Sequence, residues 1–210
     1  MKRFNTSNKL PLKFYQRNVH KVAKELLGKI FVRKFNCEYL SGRIVEIEAY
    51  DGKIDMAAHS YNGKTKRNEV MFKGGGTLYV YFTYGMYFCA NVVTGYPEDG
   101  CAILIRGIEP IAGIESMSKA RFNKLELSDS EQKKLTNGPG KICQAFYIDK
   151  SDNGTSLLSD TIFILDSKNY DKNEIMTSRR IGIKKSVDLP WRYFLKNNQY
   201  VSNLKLPNKK

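Results

Sequence analysis

The residues best suited to chemistry lie in RIVEIEAY, Arg43–Tyr50. Glu46 and Glu48 stand two apart in a β-prone run, so both carboxylates project from one face of a strand. A buried carboxylate is costly without a partner, so such a pair needs a cation or a reaction to serve. Taken alone, the segment reads first as two surface acids bridged to lysines. A second segment, LYVYFTYGMYFCAN at Leu78–Asn91, narrows the choice. Tyr79 and Tyr81 share a strand face, and Tyr84 falls at the tip of a tight turn. A large aromatic is poor turn chemistry. A side chain pushed between base pairs to unstack them would explain it. The alternative is a turn placed elsewhere, with Tyr84 an ordinary sheet residue.

Around these segments the chain carries 35 Lys and Arg against 21 Asp and Glu, a net charge of +14. That excess favours an anionic partner, and nucleic acid is the commonest one. The 41% hydrophobic content over 210 residues supports one folded domain. Cys37, Cys89, Cys101 and Cys143 have no CxxC spacing and lie far from His20 and His59, so neither a metal site nor a cofactor is expected. No apolar run approaches the ~20 residues that span a membrane, and none follows the basic N-terminus as a signal peptide would. The expected location is the cytoplasm, on the nucleoid if the source is bacterial.

The elements that must position these residues can be read from periodicity. Asn18 caps a helix with Val19, Val22, Ala23, Leu26 and Leu27 on one side, stopped by Gly28. Strands are predicted at Lys29–Lys34 and Leu40–Tyr50. In the second, Val45, Ile47 and Ala49 face one way and Ile44, Glu46, Glu48 and Tyr50 the other. Asp51–Lys73 is a long polar loop, a length that is usually functional. Thr77–Thr83 and Met86–Val93 form a hairpin around Tyr84-Gly85. A strand at Ala102–Arg106 precedes a helix at Ile111–Arg121, with Ile111, Ile114 and Met117 on one face. Asn123–Thr136 is a charged connection. Asn137–Lys141 leads into a short helix at Ile142–Tyr147, and Thr161–Asp166 is a strand. The first 17 residues and the basic end from about 197 are expected to be flexible, with fraying over the last 20. The pattern predicts a single α+β domain: a curved, mostly antiparallel sheet flanked by short helices, with a protruding β-hairpin.

At this point the residues resemble the alkyladenine, or 3-methyladenine, DNA glycosylases. The resemblance is carried by LLGK at Leu26–Lys29, RIVEIEAYDG at Arg43–Gly52, and AAHSYNGKTKRNEVMF at Ala57–Phe72. It continues through GTLYVYFTYGMYFCAN at Gly76–Asn91, AILIRGIEP at Ala102–Pro110 and NGPGKICQA at Asn137–Ala145, with a weaker echo at Arg180–Leu195. Six blocks in the family's order are a specific signal. The resemblance implies that Glu48 is the general base and that Arg106 positions the attacking water. It implies that Tyr50, His59 and Tyr81 enclose the flipped base, that Asn91 disfavours guanine's amino group, and that Tyr84 fills the vacated place in the duplex. A backbone carbonyl near Leu195 is implied at the water site. Two departures, Ala90 and the loop Thr94–Gly100, bear on substrate range.

The chemistry of the residues agrees with that expectation. Flipping a nucleotide costs a few kcal/mol, and stacking on aromatic walls offsets part of it. Cation–π attraction to Tyr50 and Tyr81 would favour positively charged alkylpurines. A carboxylate facing the sugar can stabilise an oxocarbenium-like state and accept a proton from water. Arg106 is expected to keep Glu48 ionised. Arg67 and Lys141 are candidate phosphate contacts, the latter at a helix start. The expected enzyme uses water, acts as a monomer on duplex DNA containing damaged purines, and leaves an abasic site. Two competing readings are a minor-groove binding module without catalysis and an RNA-directed enzyme on a related scaffold. The presence of Glu48 with Arg106 argues against the first, and a wedge at Tyr84 against the second.

Overall fold

The computed structural model describes residues 6–83 and 85–202. Its centre is an antiparallel sheet built from eight strands in the order β3-β4-β5-β2-β1-β6, with β8 joined to β2 and β7 to β8. The strands are β1 (Ile30–Phe35), β2 (Glu38–Tyr50), β3 (Leu78–Thr83), β4 (Tyr87–Thr94), β5 (Cys101–Ala112), β6 (Ile162–Leu165), β7 (Ile175–Ser178) and β8 (Arg192–Leu195). Short helices flank it: α1 (Leu12–Tyr15), α2 (Val19–Leu26), α3 (Ile114–Phe122), α4 (Asp129–Lys134) and α5 (Pro139–Ala145). None of the described helices is long and apolar enough to cross a membrane.

The long strand β2 organises the site. One of its edges pairs with β5 along most of its length. Its other edge is divided: the first half pairs with β1, and Glu46, Ile47 and Glu48 pair with Phe194, Tyr193 and Arg192 of β8. Register shifts against β5 on both sides of Glu46 bend the strand there. Ile44 is therefore buried in the same core as Val45, Ile47 and Ala49, not set apart from them as strict alternation would have it. Glu46, Glu48 and Tyr50 keep a common face, since Glu48 bonds Tyr50 and one arginine contacts both acids.

Asn18 caps α2 as expected, its side chain accepting from the His20 and Lys21 N–H groups. Four differences from the sequence reading have physical causes. Ile111 belongs to β5, because the chain turns only at Gly113, at φ 75°, and the helix starts at Ile114. A Cβ on Gly113 would also meet Leu40 Cδ2 at 2.4 Å. Within the charged connection, Ser128 and Glu131 form a reciprocal capping box that starts α4. The hairpin strands end at Thr83 and Tyr87, so three residues connect them instead of two.

The fourth difference concerns the chain ends. Tyr15 is fully buried, and its carbonyl accepts from Gly95 N–H. Gly75 makes this docking possible, because a Cβ there would stand 2.6 Å from the Tyr15 carbonyl oxygen. Residues 192–195 form β8, and Tyr200, Val201 and Ser202 are buried. Over these residues both ends are packed against the domain, Tyr15 through the Gly95 N–H and Ser202 through Glu46. Residues 1–5 and 203–210 lie outside the described residues.

Candidate active site

β2 delivers two acids into a nest of arginines. Glu46 is fully buried and accepts from Arg106 Nε (3.2 Å), Arg192 Nε (2.7 Å), Ser202 Oγ (2.7 Å) and Ser202 N–H (2.5 Å). Glu48 is also fully buried. Its Oε1 accepts from the Ile181 N–H at 2.7 Å and lies 3.4 Å from Arg106 Nε. Its Oε2 accepts from the Tyr50 hydroxyl at 2.9 Å and from Arg106 Nη1 at 3.5 Å. Burial pushes the Glu48 carboxyl above its ordinary pKa, opposed by the Arg106 charge, the Ile181 N–H and the Tyr50 hydroxyl. Arg106 thus acts in the expected direction, favouring the charged carboxylate, against a larger effect of burial. A carboxylate raised in this way is a stronger base than a solvated one.

A cavity of about 570 Å³ opens beside this pair, within the usual range for small-molecule sites. Tyr50, His59, Tyr81, Asn91, Arg106 and Arg67 line it, whereas Glu48 sits behind the wall that Tyr50 and Arg106 make. Strand alternation explains the far wall. Tyr79 and Tyr81 of β3 and Cys89 and Asn91 of β4 face the cavity, while Leu78, Val80, Ala90 and Val92 enter the core. Ala90 is therefore not a cavity residue and does not widen it. The loop at 94–100 does not line it either. Instead it braces the 51–73 loop, where Ser60 Oγ bonds the Gly100 carbonyl and Lys53 meets Asp99.

His59 stands edge-on to Tyr81, ring centroids 4.5 Å apart, with Nδ1 3.0 Å from the Tyr79 hydroxyl. Its backbone is fixed by Asn68, whose amide donates to the His59 carbonyl at 2.7 Å. Desolvation against these rings, and then the nearby Arg67 charge, hold the imidazole below its ordinary pKa. Both effects favour the neutral imidazole. Removing the cation in Arg67→Ala should raise the His59 pKa, read by an NMR titration of its ring protons; an unchanged midpoint would contradict this electrostatic reading. Asn91 is buried, and its amide donates to the Tyr79 carbonyl at 3.1 Å and more weakly to that of Cys89 at 3.5 Å.

The two phosphate candidates differ. Arg67 is exposed at the cavity rim, its guanidinium 5.9 Å from the Tyr81 ring centroid. Lys141 lies outside the cavity lining and donates to Asn137 Oδ1 at 2.7 Å. Burial, then Arg121 and Lys134, depress its pKa. Helix α5 opens on Pro139, which removes one of the backbone donors expected there. Tyr84 lies outside the described residues. Its neighbours Phe82 and Met86 are exposed.

Several site residues escaped the sequence reading. Ile181, Gly182, Ile183, Lys184 and Lys185 form a strap along one side of the cavity. The backbone group that meets Glu48 is the Ile181 N–H; Leu195 pairs with Ile175 and lines no part of the cavity. The buried arginines Arg180 and Arg192 and the buried acid Asp55 carried no local signal beyond their charge.

Comparison with known proteins adds a separate line of information. A family model described as methylpurine-DNA glycosylase matches residues 13–199. A protein of Clostridium botulinum (strain Alaska E43 / Type E3), described as "Putative 3-methyladenine DNA glycosylase", is 49% identical over 197 residues, covering 90% of this chain and 96% of its own length. Proteins with the same description from Clostridium novyi (46% over 208 residues, 96% and 99% covered) and Alkaliphilus oremlandii (45% over 200 residues, 92% and 98% covered) are similar to it.

Proposed function

This chain belongs to the methylpurine-DNA glycosylase family, and from that premise we propose that it draws an alkylated or deaminated purine out of duplex DNA into the 570 Å³ cavity and hydrolyses the N-glycosidic bond with a water activated by Glu48. The observation that carries this reading is the buried Glu48 carboxylate, bonded to Tyr50 and Arg106 behind the wall of an aromatic cavity. The reaction class is that of a monofunctional glycosylase acting in DNA repair.

In this mechanism the base stacks between Tyr50 and Tyr81, with His59 against the Tyr81 side. Neutral His59 offers hydrogen bonds without adding charge. Asn91, held against the cavity by its amide bonds to the Tyr79 and Cys89 carbonyls, disfavours guanine's amino group. Arg106 and Glu48 hold water beside C1′ of the deoxyribose. Water oxygen forms the new C1′–O bond, the purine leaves with the C1′–N electron pair, and Glu48 takes the water proton. Three donors already occupy Glu48, which leaves about one acceptor site on the carboxylate for the water. Tyr84 fills the gap in the duplex, and Arg67 and Lys141 contact phosphates on either side of the lesion. The enzyme acts as a monomer where the chromosome lies.

The aromatic walls are less selective for cationic bases than their tyrosines alone suggest. A guanidinium already lies over each: Arg180 is 4.6 Å from the Tyr50 ring and Arg67 5.9 Å from that of Tyr81. The substrate range therefore covers neutral hypoxanthine and ethenoadenine as well as charged 3-methyladenine and 7-methylguanine. The test is excision from duplexes bearing a single hypoxanthine or ethenoadenine, and from alkylated genomic DNA, read after alkali cleavage. Release from both classes is expected; binding to all of them with release from none would contradict the proposal.

A further inference from the structure

The ion pair Asp55–Arg180 takes no part in the reaction above, yet three parts of the site meet at it. Both side chains are fully buried. Arg180 forks onto Asp55 through both terminal nitrogens, Nη2 reaching Oδ1 at 2.8 Å. Nη1 also donates to the Ala49 carbonyl (3.0 Å), between Glu48 and Tyr50, and Nη2 to the Ser186 carbonyl (3.3 Å). The guanidinium lies over Tyr50 and, at 5.3 Å, over Trp191. Arg180 itself lines no part of the cavity, so it supports Tyr50 from behind. The next residue in the chain supplies the N–H on Glu48. Asp55 in turn anchors the loop that carries His59, accepting from the Ala57 N–H.

We propose that the Asp55–Arg180 pair is a positioning device: it clamps the 180–186 strap to the 51–59 loop and so holds the Ile181 N–H on Glu48 and the back of the Tyr50 ring. A buried ion pair contributes little net stability compared with apolar packing of the same volume. What a forked guanidinium does supply is fixed geometry at several acceptors at once. The inference rests on the reading that Glu48 is the base.

The consequence is electrostatic. The groups facing Glu48 are Glu46 and Tyr50 from β2, Arg106 from β5, Tyr81 from β3, Cys89 from β4 and the Ile181 N–H from the strap. Arg192 of β8 reaches it through Glu46. Releasing the strap removes a donor that favours the charged carboxylate, so the Glu48 pKa rises further.

The test is the pH dependence of single-turnover excision from an ethenoadenine duplex with enzyme in excess. Wild type, Arg180→Gln, Arg180→Lys and Glu48→Gln are compared, each checked for folding by circular dichroism. Arg180→Gln is expected to slow the plateau rate on the order of 10- to 100-fold and to move the acid limb toward neutral pH. Arg180→Lys keeps the charge but cannot hold all three acceptors, so it recovers part of the rate with a smaller shift in the same direction. A folded Arg180→Gln with the wild-type rate and limb, and only a lower melting temperature, overturns the proposal. Should Arg180→Gln not fold, an unshifted limb in Arg180→Lys does so. A wild-type acid limb that survives Glu48→Gln would instead strike the Glu48 reading itself.

Discussion

Glu48→Gln is expected to slow base excision about 10²–10⁴-fold, the usual contribution of a general base, while leaving DNA binding within about threefold, under 1 kcal/mol. The substitution keeps the side chain's shape and one oxygen, so Tyr50 and Arg106 retain an acceptor, but the amide cannot take a proton from water. The pH dependence should change with it. Burial raises the Glu48 pKa, so if Glu48 is the base the acid limb of wild-type excision is expected to be shifted upward from that of a solvated carboxylate, with activity lost as pH falls through it. Glu48→Gln has no such limb. The sign for stability is opposite to that of a salt-bridged acid. Between the ordinary and the raised pKa the folded state holds a proton that the unfolded chain has lost, so stability falls as pH rises through that window. Glu48→Gln removes that slope, which a series of urea melts can verify. A variant that cuts at more than a tenth of the wild-type rate would show that the proton goes elsewhere.

Glu46→Ala is expected to destabilise the fold by about 3–5 kcal/mol, the cost of breaking a buried ion pair on one side. Its carboxylate is the common acceptor for Arg106, Arg192 and Ser202. Without it the buried Arg192 loses its carboxylate partner, Arg106 keeps only Glu48, and the Ser202 N–H loses its acceptor. For a chain of this size the melting temperature should drop by roughly 10 °C. Glu46→Gln, which keeps an acceptor oxygen, should lose less. Activity should fall in both, because Arg106 is aimed at Glu48 from its contact with Glu46. A Glu46→Ala protein melting within about 2 °C of wild type would mean that the network is relieved by water or by movement of Arg192.

The part of this site that was legible in the sequence is the part written in local periodicity. Alternation in β2 puts Glu46, Glu48 and Tyr50 on one face, and alternation in β3 does the same for Tyr79 and Tyr81. Asn18 announces its helix through capping chemistry. The family resemblance located His59, Asn91 and Arg106, whose side chains line the cavity together with Tyr50 and Tyr81. Long-range partners were not legible. Arg180 meets Asp55 across 125 residues and Ser202 meets Glu46 across 156. A basic, polar chain end has the composition of a frayed tail, and nothing local reveals that Arg192 pairs with a buried acid or that Ser202 donates to it. The register shifts beside Glu46 were hidden for the same reason, since a bulge is set by the partner strand. Ile111 was misplaced because an apolar residue next to a helix fits helical spacing as well as strand spacing, and the decisive residue was Gly113.

The most direct test of hydrolytic excision is a product balance on one duplex carrying a single ethenoadenine, with wild-type enzyme in excess. Free base is quantified by chromatography, and strand breaks are counted before and after alkali in the same sample. The mechanism predicts one released base per alkali-labile site, no break before alkali, and no protein–DNA adduct on borohydride reduction. DNA that is bound without base release, or strand breaks before alkali with a trapped adduct, would contradict it.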